Sequence, residues 1–179
     1  LTFKLIIMKK YLFIVFAIAL GVTATAQKNF YIYNFSSYDI TVSDIITKHV
    51  TNDYPQVYDN LNPLLITANG GSIELFGALN NRFPYTQLSP TYTTAALNRW
   101  IVQTSATTSN PPAAAAGVEL AYGTNQVFKC IKFESGSESR VLGAVPFSSN
   151  EAIMTEITGL YEEFQTGSLT EYTIVIFDN

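Results

Sequence analysis

Gln126-Val127-Phe128-Lys129-Cys130-Ile131-Lys132-Phe133-Glu134 sets aromatic and β-branched residues between two turn-forming triplets. Gly123-Thr124-Asn125 precedes it and Ser135-Gly136-Ser137 follows it. Aromatic and β-branched side chains suit a pleated surface, and Gly, Asn and Ser supply turns. The stretch therefore reads as a central strand. Arg140 to Val145 returns as its hairpin partner.

Working outward, the same grammar recurs. Leu169 to Phe177 reads as a closing strand, with Tyr172, Ile174 and Ile176 on one side and Val175 and Phe177 on the other. Apolar residues on both parities predict that both of its faces are covered. Thr166-Gly167-Ser168 is a turn before it. Ser148 to Gln165 predicts a helix: Ser148 with Glu151 fits a capping box, and Ile153, Ile157, Leu160, Tyr161 and Phe164 share one helical face. Gly159 and the β-branched Thr155, Ile157 and Thr158 argue the other way.

Towards the N-terminus, Phe30 to Phe35 and Tyr38 to Thr47 read as a hairpin around Asn34-Phe35-Ser36-Ser37. Ile40, Val42 and Ile46 fall on one parity of the second strand, opposite the polar Asp39, Thr41 and Ser43. Leu64-Leu65-Ile66 and Ser72 to Phe76 read as a second hairpin across Asn69-Gly70-Gly71. Lys48 to Pro63 and Gly77 to Pro90 read as irregular. Thr91 to Ser105 fits two readings: Leu97, Trp100 and Ile101 stand at helical spacing after Ser89-Pro90, while Arg99 to Thr104 reads as a strand through Trp100, Ile101 and Val102, which the β-branched residues and the all-β context favour. Residues 104–116 are low in complexity and read as a flexible surface loop, with Gly117 to Tyr122 as a short strand after it. About eight strands with Gly, Asn and Ser turns predict an all-β fold. The expected architecture is a two-layer antiparallel β-sandwich with one short helix near 150–164.

The first 26 residues belong to a different grammar. Met8 is followed by Lys9 and Lys10, then by an apolar run from Tyr11 to Val22, then by Ala24-Thr25-Ala26 before Gln27. A basic start, an apolar middle and an A-x-A site make a secretory signal peptide with cleavage after Ala26. The apolar run is too short for a bilayer, which wants roughly 20 residues. Leu1 to Ile7 read as sequence upstream of an initiator at Met8. Gln27 in place of Cys leaves no lipid-attachment site. The Ala26–Gln27 junction resembles the leaders of exported Bacteroidota proteins. The expected mature chain is thus one β-sandwich domain, 27–179, periplasmic or extracellular, with no transmembrane anchor.

Charge narrows the partners. The chain has ten Lys and Arg against fourteen Asp and Glu. Three of the basic residues, Lys4, Lys9 and Lys10, precede the expected cut, and none of the acids does. An acidic mature chain argues against nucleic acid and anionic membranes, which need clustered Lys or Arg. Protein or glycan partners fit better.

Catalytic chemistry lacks its parts. There is one histidine, His49, and one cysteine, Cys130, so a zinc site and an intramolecular disulfide are both short of members. Cys130 reads as a buried, inert thiol. No G-x-S-x-G elbow, phosphate-binding glycine loop or dinucleotide fingerprint occurs, and no cofactor is implied. Glu134 and Glu138 flank a turn and could approach as a glycosidase pair, while Glu162 and Glu163 are neighbours that diverge. Solvated surface charge accounts for all four. Asp53 and Asp59 lie in an oxygen-rich loop without calcium-loop spacing.

Exposed aromatics are the remaining handle. Tyr85, Tyr92 and Trp100 lie in or near irregular sequence and are the candidate ligand-binding residues, because aromatic faces stack on sugars or anchor proteins. The competing reading puts Trp100 in the core. The expectation is a non-enzymatic exported binding or interaction domain of the bacterial envelope or extracellular space. The alternatives are a carbohydrate-binding module or glycoside hydrolase, and a membrane-active β-protein.

Overall fold

A computed structural model describes residues 27–59, 63–76, 87–88 and 99–179. The expected leader, and the candidate residues Tyr85 and Tyr92, lie outside the described residues. Among the described residues no helix is long and apolar enough to cross a membrane.

The chain builds two sheets. One contains β12 (Glu151–Ile153), β13 (Ile157–Thr166), β14 (Leu169–Asp178), β1 (Gln27–Asn34), β5 (Gly71–Phe76) and β6 (Gln87–Leu88), in that spatial order. The other runs β11 (Glu138–Gly143), β10 (Gln126–Ser135), β2 (Ile40–His49), β3 (Gln56–Asp59), β7 (Arg99–Ser105) and β8 (Thr108–Ser109). Short strands β4 (Leu64–Ile66) and β9 (Ala113–Ala114) pair with β2 and β7. The all-β class holds. The count exceeds the expected eight because segments of two or three residues are too short to show a period. One pair departs from the antiparallel expectation: β1 runs parallel to β14, Phe30 opposite Tyr172 and Ile32 opposite Ile174.

The stretch from Gln126 to Glu134 is central, with β10 between β11 and β2. Lys129 is an extra residue between the pairs Phe128–Thr47 and Cys130–Ile46, and Ser43 is an extra residue opposite Lys132–Phe133. Each bulge flips the inward parity of its strand. Phe128 and then Ile131 and Phe133 are therefore buried on β10, and Val42 and then Ile45 on β2. Strict alternation had placed Ile46 inward with Ile40 and Val42, and the bulge at Ser43 turns Ile45 in instead.

Phe128 is the knob that joins the layers. Its ring lies 5.0 Å from Phe30, 5.0 Å from Tyr161 and 5.7 Å from Tyr172, all three on the facing sheet. Gly159 belongs to the same contact surface. A side chain there would begin 3.0 Å from Leu142 Cδ2 and 3.3 Å from Phe133 Cζ.

Both expected N-terminal hairpins are corrected. β1 and β2 lie in different sheets, and so do β4 and β5. The turn-forming residues between them carry the chain across the sandwich. Fully buried Asn34 ties the two crossings together. Its amide nitrogen donates to the carbonyls of Tyr38 (2.8 Å), Ile66 (3.2 Å) and Thr67 (3.1 Å). Its oxygen accepts from the Ser36 backbone N–H (3.1 Å) and hydroxyl (2.7 Å). The crossings also bond directly, Asn69 N–H to Ser36 O and Gly70 N–H to Asn34 O.

The expected helix over 148–165 is two strands, β12 and β13, joined by a tight turn closed by Met154 N–H to Ile157 O. Tyr161 points into the core and Phe164 out to solvent, opposite faces of a strand. Among the described residues the one α-helix, α1, covers Ala115–Tyr122, where a strand was expected over 117–122, and a 3-10 turn over Gly123–Asn125 follows it. Alanine has the strongest intrinsic helix preference, and eight residues are too few to display a period. The low-complexity stretch 104–116 is drawn into β8 and β9 along β7. The Gly136 hairpin and the turn at Gly167 stand as read, though the turn at Gly167 joins two paired strands rather than a helix and a strand; the two glycines take φ of 58° and 59°, a region that suits glycine.

Replacing Asn34 by Ala leaves buried carbonyls without a donor, each costing about 1–3 kcal/mol with partial relief by relaxation. Asn34→Ala should lower the unfolding free energy by about 2–4 kcal/mol in urea titration. A loss below about 0.5 kcal/mol would show that the crossings are held some other way.

Candidate functional site

The structure disperses most of the residues singled out from sequence. Trp100 sits on β7 with its side chain fully buried, so it offers no ring face to a ligand. Its indole N–H has no hydrogen-bond partner among the described residues. Truncating it would test packing. His49 ends β2, and its Nδ1 lies 3.0 Å from the Thr51 hydroxyl and 3.3 Å from the Thr51 backbone nitrogen, within a local turn. Cys130 is buried, and burial pushes its thiol up to about 11, which makes a thiolate scarce at neutral pH.

The carboxylates also go separate ways. Glu134 pairs with Lys132 at 3.8 Å. Glu138 accepts from the Thr155 backbone N–H (3.2 Å) and from Arg140 (3.3 Å). The Thr155 contact, and then Arg140, hold its carboxyl below the ordinary range. Glu138 does have a second acid nearby. Glu156, which accepts from the Tyr38 hydroxyl at 3.2 Å, lines with it an open cleft of about 260 Å³ at one end of the sandwich. Among the described residues no group of three or more His, Cys, Asp or Glu is placed to hold a metal ion.

The exposed aromatic surface lies elsewhere, on the outer face of the six-stranded sheet. Phe30, Ile32 and Asn34 of β1 face inward, so Tyr31 and Tyr33 face outward. Their rings stack at 6.0 Å and 9°, and Phe35 continues the row at 6.1 Å and 13°. Strand register fixes the neighbours. Tyr31 lies beside Thr173 and Glu74, and Tyr33 beside Val175 and Ser72. Glu162, Leu160 and Thr158 of β13 extend these rows past Thr173, Val175 and Phe177, and Phe164 lies beside Glu171. Ile153 of β12 completes the row at Thr158. Phe35 is 60% exposed, Ile153 59%, Phe164 65% and Phe177 36%.

This corrects the expectation that β14 is covered on both faces. Its second apolar face is the open one. The sequence did carry the signal: aromatic residues on both parities of Phe30 to Phe35 and of Leu169 to Phe177. Sequence alone does not say which side a second sheet will cover.

The face is graded along the strands. One end is apolar, with Phe35, Phe177, Ile153, Tyr33 and Leu160. The other gathers Glu74, Glu162 and Glu171 around Tyr31. Burial first, and then Glu171 and Glu74, push the Tyr31 phenol above its ordinary range, while a hydrogen bond from Asn29 opposes them.

No protein-family model matches the sequence, and comparison with curated proteins and with solved structures gives no match.

On the inward side of β1, Lys28 bridges the layers. Its ammonium donates to the carbonyls of Gln126 (2.6 Å) and Thr124 (3.2 Å), and burial lowers it from 10.5 to about 8. Between those two values the unfolded chain holds a proton that the folded chain has lost, so stability rises as pH increases through this window. The advantage of wild type over Lys28→Met should therefore grow between pH 8 and pH 10 in urea titrations. A difference independent of pH would contradict the assignment.

Proposed function

We propose that the chain is an exported, non-enzymatic binding domain whose working surface is the outer face of the six-stranded sheet. The observation that carries this reading is the cluster of exposed apolar side chains at one end of that face, Phe35, Ile153 and Phe177 beside stacked Tyr31 and Tyr33, with Phe164 exposed separately beside Glu171. Contiguous exposed apolar surface on a folded domain marks an interaction site more often than chance would place it. The leader read from Met8 to Ala26 supports export to the periplasm or beyond.

A second reading has one observation of its own. The cleft between Glu138 and Glu156 holds two carboxyls and the phenol of Tyr38, which favours a glycan-directed site. Its Glu138, held ionised, is suited to a base or nucleophile rather than a proton donor. The aromatic row itself favours glycans less. Its rings turn their faces to one another, so a sugar would meet edges.

Photocrosslinking amino acids at Phe35 and Phe164, introduced in the producing cell, test the first reading. Expected are discrete adducts from both sites, absent from equally exposed Val50 and Leu120, on a chain whose N-terminus is Gln27. Adducts at the control positions alone, or a chain that retains Met8 and stays inside, would overturn it.

A further inference from the structure

We infer that the occupant of this face is a cationic segment of another protein, one carrying arginine or lysine a few residues from an apolar anchor; the inference rests on the binding reading above. The first argument is charge. Outward positions on β12, β13, β14, β1 and β5 include Glu151, Glu162, Glu171 and Glu74, and among the described residues no Lys or Arg occupies one. Lys28, the basic residue of β1, is on the inward parity and is spent on the carbonyls of the other layer. The field around Tyr31 is accordingly negative, and complementary charge sets which partner such a surface accepts.

The second argument is geometry. Phe164, well exposed, lies beside Glu171 on the neighbouring strand. A ring edged by a carboxylate suits a guanidinium, which stacks on one and bonds the other. From Phe35 to Tyr31 the chain advances four residues, ~13 Å at ~3.3 Å per residue. An extended segment lying along β1 would thus seat an apolar side chain at the Phe35–Phe177 end and a cation about four residues away.

Other occupants fit poorly. A second copy would bring the same glutamates and, among the described residues, no Lys or Arg on this face to neutralise them. Nucleic acid and anionic lipid would meet the same repulsion.

Two capped synthetic peptides serve as probes in an NMR titration of the 15N-labelled protein: Leu-Thr-Leu-Thr-Arg-Thr-Arg, and the same peptide with Gln for both Arg. The arginine peptide should shift the amides of Tyr31, Glu162, Glu171 and Thr173. It should bind Glu74→Gln/Glu162→Gln/Glu171→Gln about tenfold more weakly or worse, and weaken with added salt. These exposed or half-exposed substitutions should leave the rest of the spectrum unchanged. If the glutamine peptide binds the face equally well, the docking surface stands and the cationic partner falls. If neither peptide moves these amides, both readings fall. Concentration-dependent dimerisation through this face would assign it to a second copy and overturn the inference.

Discussion

Phe128 set among Phe30, Tyr161 and Tyr172 is the contact on which the remaining structure depends. One ring from the sheet of β10 is enclosed by three from the facing sheet. Neither sheet can bury its inner face alone, and aromatic side chains supply most of the area per residue at such a junction. Two bulges aim the knob. Lys129 and Ser43 each add a residue to one strand, and the inner faces of β10 and β2 change parity together. Without them Ile131, Phe133, Val42 and Ile45 could not all point inward.

Connectivity locks that contact in place. β1 and β2 are consecutive in sequence and lie in opposite layers, as do β4 and β5. Asn34 fastens both crossings with its single amide. At the opposite end buried Gln126 donates to Pro55 O and accepts from Thr47, whose hydroxyl also lies 3.2 Å from Val57 O. The side of the sandwich bounded by β11 and β12 is closed by side chains. Arg140 donates to the Ile153 carbonyl and Glu138 accepts the Thr155 N–H, so backbone groups that could recruit a foreign strand are occupied.

What the sequence disclosed follows from this arrangement. Strands long enough to show their pattern, such as β10 and β14, were legible, and so were the hairpin at Gly136 and the turn at Gly167, because their signals are local; at β7 the helical spacing of Leu97, Trp100 and Ile101 competed with the strand. Pairing was illegible where a turn hands the chain to the other sheet. Asn34-Phe35-Ser36-Ser37 has the same turn chemistry whether the next strand returns beside β1 or crosses the core. Ile153, Ile157, Leu160 and Phe164 mimicked a helix because a strand with two apolar faces satisfies either period. The same ambiguity concealed the candidate site. Irregular sequence is where an exposed ring is expected, yet Trp100, beside such a stretch, is core. The outward rings sit on the most regular strands of the molecule.

A rigid, two-faced sheet is a consistent platform for binding. Its inner face is fixed by the other layer, so the outer side chains are held at set spacings and lose little entropy on contact. Through Phe128 the two layers form one cooperative unit. Native-state hydrogen exchange tests it most directly. The amides of Ile32 and Ile174 in one sheet and of Ile45 and Ile131 in the other should open with one common free energy, equal to that of global unfolding. Distinct opening energies for the two sheets, or exchange of β1 and β14 while β10 and β2 stay protected, would contradict it.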